Sequence, residues 1–251
     1  MLKLVRHPDV THPARVVPSA SRTAARDPSV MRSVFMPPGL TDLDFARLDS
    51  ISSSTRMIKN GTSLYRENDP FRNIYTILSG SFKTVVLHPD GRNQVTGFQL
   101  VGDTLGLDGV YTSHHNSEAI AIEDSRVCII PFYLLELMCS EVKAIQQHVH
   151  RMMSGEIVRE SALMMLLGTM SADQRLTTFL LNMSDCLKTR GYSPVEFNLR
   201  MSRDEIGSYL GMKLETVSRM FSKLQVDGLV DTQGKTIRIL DLDGLSRRLS
   251  S

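Results

Sequence analysis

The chain has 251 residues, of which 41% are hydrophobic and 22% are charged, and its formal net charge is +2. This composition is typical of a globular protein with one large or two ordinary domains. Stretches of about eighteen apolar residues are absent, so we expect no contact with a membrane. The N-terminal segment is interrupted by prolines and lacks the apolar core of a signal peptide, which predicts a cytoplasmic protein.

The three cysteines, Cys128, Cys139 and Cys186, are far apart in the sequence. This spacing excludes a disulfide framework and a zinc site of the usual kind, so we expect reduced thiols and no bound metal. Residues 1–34 are rich in Pro, Ser, Arg and Ala without hydrophobic periodicity. Because they offer too little apolar surface to offset the entropy of ordering, they are predicted to be a disordered basic tail.

Residues 35–139 begin with a short helical pattern at Thr41 and continue as short segments of strand type. Glycine, proline, aspartate and serine separate these segments, which lie at residues 63–65, 73–78, 81–87, 94–98, 119–122 and 126–130. Many short strands with regular turn signals predict a β-sandwich or a β-roll.

Residues 140–169 contain no proline and only two glycines, which predicts one long helix. Side chains along it recur at steps of three, four or seven, the pattern of a coiled-coil seam. The predicted seam comprises Val142, Val149, Met153, Ile157, Glu160, Met164 and Leu167. A second interpretation is that the helix packs on its own domain.

Glu160 is the charged member of this seam. On a two-fold axis it would face its own copy, and the repulsion would make dimerisation conditional. At the edge of the seam it could instead pair with Arg159 of a second copy.

Residues 170–243 predict a winged helix-turn-helix domain. An amphipathic helix at 173–187 is followed by a strand-like segment at 197–199. Residues 202–205 then form a capping box, which predicts a helix from Ser202 that ends at Gly211. A second helix begins near Lys213 and ends before Gly228, and residues 229–231 and 236–239 flank a hairpin turn.

The second of these helices has a polar face that suits DNA bases. Arginine can bind guanine O6 and N7, glutamate can accept from cytosine N4, and serine suits either role. Glu215, Ser218 and Arg219 are therefore the candidate base-reading residues. Candidates for phosphate contact are Lys213, Ser222, Lys223, Lys235 and Arg238. A helical bundle with a solvated charged face is the alternative, but it does not explain the order of cap, glycine turn, polar face and wing.

The order of β-roll, long helix and winged helix-turn-helix resembles the CRP/FNR superfamily, in the branch of the fumarate-and-nitrate-reduction regulator. The motifs that carry this resemblance are residues 94–98 (QVTGF), 127–132 (VCIIPF), 204–211 (DEIGSYLG) and 215–219 (ETVSR). It implies an α+β fold with an N-terminal β-roll sensor domain of the cyclic-nucleotide-binding, cupin-like type.

The resemblance also implies a functional assignment. Glu215, Ser218 and Arg219 would read the bases of a palindrome similar to TTGAT-N4-ATCAA, and the long helix would form a homodimer. RNA polymerase would be a further partner, with candidate contacts in one loop at His88, Asp90, Gly91 and Arg92.

Two departures from the family pattern predict which ligands are absent. Oxygen-sensing members hold a [4Fe–4S] cluster with four cysteines, of which only Cys128 has a counterpart here; Arg26, Ser29 and Phe35 stand at the other positions. Cyclic-nucleotide-binding members use Gly-Glu and then Arg-Ser/Thr-Ala, whereas the matching stretches here are Gly102-Asp103 and Ser117-Glu118-Ala119. We therefore expect neither the cluster nor cAMP, and a packed thiol at Cys128.

Two other functions remain open. A haem- or thiol-based sensor of nitric oxide or redox state would have the same fold, with candidate ligands His7, His12, His114, His115, His148 and His150. An enzyme built on the β-roll is disfavoured, because the histidines avoid the strands and no nucleophile elbow, P-loop or zincin motif occurs.

Overall fold

The computed structural model describes residues 41–44, 46, 54–87, 90, 91 and 93–250. The predicted N-terminal tail lies outside these residues. The chain divides into a unit that ends at Glu156, called here the β-roll unit, and a helix-turn-helix unit that begins at Ile157. Among the described residues, no helix is both long enough and apolar enough to cross a membrane.

Two four-stranded antiparallel sheets form the β-roll unit, with strand orders β1-β8-β3-β6 and β2-β7-β4-β5. The strands are β1 Ser54–Ile58, β2 Ser63–Tyr65, β3 Asn73–Ser79, β4 Phe82–Leu87, β5 Asn93–Gln99, β6 Thr104–Leu105, β7 Glu118–Ala121 and β8 Ser125–Pro131. All the strands predicted from the sequence are present, and β1 and β6 were not predicted.

Strand β3 shows why the two sheets enclose a core. Tyr75 and Ile77 point into an apolar cluster between the sheets, together with Phe82 and Val127. Residues on the opposite face of β3, including Ile74, join a second cluster with the helices that follow β8. Because both faces are covered, the strand is buried without interruption from residue 74 to residue 78, and its burial does not alternate.

The long helix begins later than the sequence predicts, and a shorter helix that was not predicted precedes it. Helix α1 spans Phe132–Glu141 and α2 spans Lys143–Thr169. Val142, between them, has an extended backbone with φ of −123° and ψ of 100°. The prediction of one helix from residue 140 is therefore wrong at its N-terminal end, and Val142 is not part of a helical seam.

The first half of α2 packs on its own unit. Val149 is buried in the second apolar cluster, and Val142 and Met153 are partly buried against it. In Val149 and Met153 the helix therefore packs on its own domain, as in the second interpretation, and Val142 packs on the same cluster from outside the helix. Ile157 and Met164 are instead exposed, at 64% and 71%.

The helix-turn-helix unit contains the second half of α2 and the elements α3 Ala172–Thr189, β9 Glu196–Asn198, α4 Arg203–Leu210, α5 Leu214–Val226, β10 Val230–Gln233, β11 Thr236–Ile239 and α6 Leu242–Arg247. Strands β9, β10 and β11 form one sheet in the order β10-β11-β9. The sequence predicted these elements to within a few residues, except α6, which extends beyond residue 243.

His148, in the first half of α2, predicts a pH dependence of stability. Burial, with a smaller effect of the Arg151 charge, lowers the pKa of His148 to about 4. Between pH 6.5 and 4 the unfolded chain therefore binds the proton that the folded chain excludes. The free energy of unfolding should fall by about 1–3 kcal/mol as the pH is lowered through this range.

Denaturant titrations at several pH values check this prediction. In His148→Gln the free energy of unfolding should depend less on pH over this range than in the wild type. In His150→Gln, at an exposed position of the same helix, the dependence should stay as in the wild type. Equal slopes for the two variants would contradict the assignment.

Candidate nucleic-acid interface

Helices α4 and α5 are joined by a tight turn that glycine permits. Gly211 ends α4 with φ of 62°, in the left-handed region. The Met212 N–H donates to Gly207 O at 2.8 Å, which closes the turn. A Cβ at Gly207 would lie 2.6 Å from Met212 O, so this helix position accepts only glycine without movement of the backbone.

The N-terminus of α4 is fixed by the predicted capping box. Ser202 Oγ accepts from the Glu205 N–H at 3.2 Å, and the Glu205 carboxylate accepts from the Ser202 N–H at 2.6 Å. The two helices then pack through Ile206, Leu210, Val217, Phe221 and Leu224, which are all buried.

The predicted base-reading residues share one face of α5. Val217, Phe221 and Leu224 bury the opposite face of the helix. Glu215 and Arg219 are exposed and Ser218 is half-buried. Arg219 Nη2 lies 3.4 Å from Thr216 Oγ1 on the same helix, a long contact that an extending side chain can give up. The three side chains can therefore reach base edges together.

The five phosphate candidates differ in their contacts. Lys213 is exposed at the N-terminus of α5, and Lys223 Nζ lies 3.9 Å from Asp173 Oδ2. Lys235 Nζ donates to Arg200 O at 2.9 Å. Arg238 binds Glu196 through two nitrogen atoms, each 3.1 Å from Oε2. Ser222 Oγ donates to Ser218 O at 3.1 Å.

The carboxylates of Asp173 and Asp227 both bind Arg248 near the C-terminal end of the unit, and Asp173 also lies close to Lys223. Arg248 Nε lies 2.5 Å from Asp173 Oδ2, and Nη1 lies 2.6 Å from Asp227 Oδ2. Hydrogen bonding to Asp173 is the largest of the effects that raise the pKa of Arg248. Because Arg248 already neutralises the charge of Asp173, Lys223 can move from that carboxylate to a phosphate with little loss of free energy. Lys213 and Lys223 are therefore the phosphate candidates that the geometry favours most.

Sequence reasoning missed several residues that shape this surface. The Arg203 guanidinium lies 4.4 Å from the centre of the Phe221 ring and so joins α4 to α5. Arg175 and Arg248 likewise connect elements that are distant in the sequence. No local pattern could have identified them, because the partner of each is set by the tertiary structure.

In the β-roll unit, the loop after β6 is closed by an internal carboxylate. Asp108 Oδ2 accepts from the N–H groups of Asn116 and Ser117, at 2.9 Å and 3.0 Å, and from Ser117 Oγ at 2.8 Å. His115 Nδ1 lies 3.2 Å from Asp108 Oδ1. Burial alone would raise the pKa of Asp108, but the hydrogen bonds from His115 and Ser117 lower it below its usual value.

Asp103 and Glu118, from the two stretches compared above with the cyclic-nucleotide pattern, make contacts within the chain. Asp103 Oδ2 accepts from the Leu100 N–H at 2.8 Å and closes its own turn. Glu118 accepts a hydrogen bond from Ser63 Oγ and lies 3.8 Å from Arg66 Nε.

The candidate haem ligands are dispersed. His115 is 2% exposed and stacks on Tyr65 with 3.8 Å between ring centres. His114 and His150 are exposed, and His148 is partly buried on α2. His7 and His12 lie outside the described residues. Within the described part of the chain, no three His, Cys, Asp or Glu side chains form a group that could hold a metal ion.

The loop predicted to contact RNA polymerase joins β4 to β5. Leu87 pairs with Asn93 at its base. Asp90 and Gly91 are exposed, and Gly91 has φ of 86°. His88 and Arg92 lie outside the described residues, as do Arg26, Ser29 and Phe35.

Two family models match the chain, one for each unit. The Crp-like helix-turn-helix domain matches residues 174–248, and the cyclic nucleotide-binding domain matches residues 55–141. The first match contains α4 and α5, which carry the candidate interface.

Similar proteins support the same assignment. Transcriptional regulatory protein btr of Bordetella pertussis is 39% identical over 233 residues, which cover 93% of this chain and 96% of that protein. Transcriptional activator protein anr of Pseudomonas aeruginosa is 40% identical and covers 82% of this chain and 84% of its own length. The structure of FixK2 from Bradyrhizobium japonicum matches with a TM-score of 0.72 and 31% identity, over 77% of this chain and 96% of that chain.

These relatives are regulators of transcription and not enzymes, which agrees with the sequence analysis. The β-roll, the long helix and the C-terminal helix-turn-helix occur in the predicted order. The chain therefore belongs to the CRP/FNR family of transcription regulators.

Proposed function

We propose that this regulator binds, as a homodimer, a palindrome similar to TTGAT-N4-ATCAA and contacts RNA polymerase, without a [4Fe–4S] cluster. The observation that carries the proposal is the exposed polar face of α5, where Glu215, Ser218 and Arg219 lie within about one turn of the helix. These side-chain types match the edges of guanine and cytosine in the major groove.

The second half of α2 supports dimerisation. Ile157, Met164 and Met165 are large apolar side chains, and they are 64%, 71% and 44% exposed. Large apolar side chains in a row on one helix are typical of a surface that another chain covers. Glu160 is exposed between Ile157 and Met164, so the charge it would add to the seam would oppose association.

The cysteines do not fit a four-cysteine cluster. The chain has three cysteines in all. Cys128 is 2% exposed in the apolar core of the β-roll unit, and Cys186 lies in the other unit. Burial, and then the charge of Glu136, raises the pKa of Cys139, which disfavours the thiolate that iron requires.

A cyclic nucleotide is equally disfavoured as the input. In the loop between β6 and β7, Asp108 already uses the backbone donors of Asn116 and Ser117 that an external phosphate would need. Glu118 lies 3.8 Å from Arg66 Nε, so the positive charge of Arg66 is already shared with a carboxylate of this chain.

Contact with RNA polymerase rests on the relatives. The anr protein is named a transcriptional activator, and an activator acts on the transcription machinery. The β4–β5 loop, with Asp90 and Gly91 exposed, is the surface that the family resemblance assigns to this contact.

A fluorescence-anisotropy titration of protein purified in air and stripped of metal tests the function. We expect tight binding to a TTGAT-N4-ATCAA duplex and weak binding to a scrambled duplex of equal length and charge. The visible spectrum of the same sample should lack haem and iron–sulfur bands. Equal, weak binding to both duplexes would contradict the proposed site and its independence from a cluster.

A further inference from the structure

Arg175, in the first turn of α3, donates to three backbone carbonyl groups. Its Nη2 lies 2.7 Å from Leu167 O, its Nε lies 3.0 Å from Met170 O, and its Nη1 lies 3.0 Å from Leu210 O. The first two oxygens belong to the end of α2 and the third to the end of α4. One guanidinium group therefore joins the long helix to the first helix of the helix-turn-helix.

The chemistry of helix ends favours this arrangement. The last carbonyl groups of a helix have no partner in the helix, and they carry partial negative charge. A planar guanidinium can satisfy several of them in a fixed geometry, whereas a lysine ammonium acts as a single compact charge. Arg175 consequently holds two helix ends at a defined distance and angle.

Neighbouring contacts tighten the same joint. A Cβ at Gly211 would lie 3.2 Å from Arg175 Nη1 and 3.2 Å from Leu167 Cδ2. The turn of the helix-turn-helix thus lies directly against Leu167, a residue predicted from the sequence to face a second chain. Burial raises the pKa of Tyr209 on α4, and the positive charge of Arg159 on α2 partly opposes this.

We propose that Arg175 is a positioning residue that sets the spacing between half-sites accepted by the dimer. This inference rests on the proposed function, in which α2 forms the dimer and α5 reads the bases. Adding one base pair between half-sites moves the second by about 3.4 Å and rotates it by about 35°. A rigid joint between α2 and α4 rejects such a change, whereas a loose joint accommodates it.

The test compares the wild type with Arg175→Lys on four duplexes. These are the N4 palindrome, palindromes with a spacer one base pair shorter or longer, and a single half-site. Arg247→Lys is the matched control, because Arg247 is 73% exposed in the same unit and bonds only to a nearby carboxylate, that of Asp241, among the described contacts. Arg175→Gln, which keeps two donors without the charge, is the second variant, and thermal unfolding is recorded for all proteins.

We expect Arg175→Lys to lose about tenfold in affinity for the N4 palindrome, the effect of weakening charge-assisted hydrogen bonds. Its affinity for the single half-site should change by less than about twofold, so its preference among spacers becomes weaker. Arg175→Gln should likewise lose affinity for the N4 palindrome and show a weaker preference among spacers. Arg247→Lys should bind all four duplexes as the wild type does.

Two results would overturn the inference while leaving the proposed function intact. One is an unchanged spacer preference in the Arg175 variants. The other is an equal loss on every duplex with a lowered unfolding temperature, which would mean that Arg175 only stabilises the fold. A wild type that does not prefer the N4 palindrome over the half-site would instead overturn the proposed function, and this inference with it.

Discussion

Arg219→Ala is expected to weaken binding to the palindrome by about 1–3 kcal/mol for each half-site and to relax the preference at one base pair. Arg219 is exposed on α5, and the contact of its Nη2 with Thr216, at 3.4 Å, is long. The alanine variant therefore leaves the helix intact and removes a donor pair that can bind guanine bidentately. Anisotropy titrations against duplexes with one substituted base pair at a time will locate the affected position.

Two controls separate base reading from other effects of Arg219. Arg247→Ala removes an exposed arginine that belongs to the same unit but not to α5 and that pairs with Asp241, and it should leave the affinity unchanged. Lys213→Ala, at a phosphate candidate, should weaken binding to every sequence alike and reduce its dependence on salt. If Arg219→Ala lowers the affinity for scrambled DNA as much as for the palindrome, the base-reading role is wrong.

Gly207→Ala is expected to destabilise the helix-turn-helix unit by about 1–3 kcal/mol and to reduce DNA affinity strongly. The new methyl group would lie 2.6 Å from Met212 O, a backbone atom of the turn that cannot move without opening it. Helix propensity alone predicts the opposite sign, since alanine is favoured over glycine by about 1 kcal/mol inside a helix. We expect the steric contact to outweigh the helix propensity, so that Gly207→Ala is less stable than the wild type.

Gly168→Ala provides the matched comparison. Gly168 also lies inside a helix, but no atom lies within 4 Å of its expected Cβ. This variant should gain about 0.5–1 kcal/mol in the free energy of unfolding. Thermal unfolding and DNA titrations of both variants complete the test, and a Gly207→Ala protein as stable as Gly168→Ala would refute the close approach at the turn.

Local patterns were sufficient to predict most of the helix-turn-helix. The capping box at Ser202, the glycine at 211 and the apolar spacing of α5 each involve residues within a few positions of one another. Such signals depend on backbone geometry and on periodicity, so the sequence contains them directly. The candidate residues Glu215, Ser218 and Arg219 followed from the same helix, and their role stays a prediction.

The apolar stripe along α2 shows what hydrophobic periodicity does not predict. An apolar stripe indicates that one face of a helix will be buried, but it does not indicate whether the same chain or a second chain buries it. Val149 is covered by the β-roll unit of its own chain, whereas Ile157 and Met164, on the same stripe, are exposed. Val142 lies between α1 and α2 with an extended backbone, and its side chain packs against the same core as Val149.

By itself, the sequence determined the order of the elements, the helix-turn-helix and its polar face, because each depends on neighbours in the chain. Only the tertiary structure decided the contacts that connect distant elements. Arg175 binds a carbonyl 35 positions away, and Arg248 binds a carboxylate 75 positions away. An arginine on a helix has the same local pattern whether it faces solvent or two helix ends, so its partners become definite only when the chain is folded.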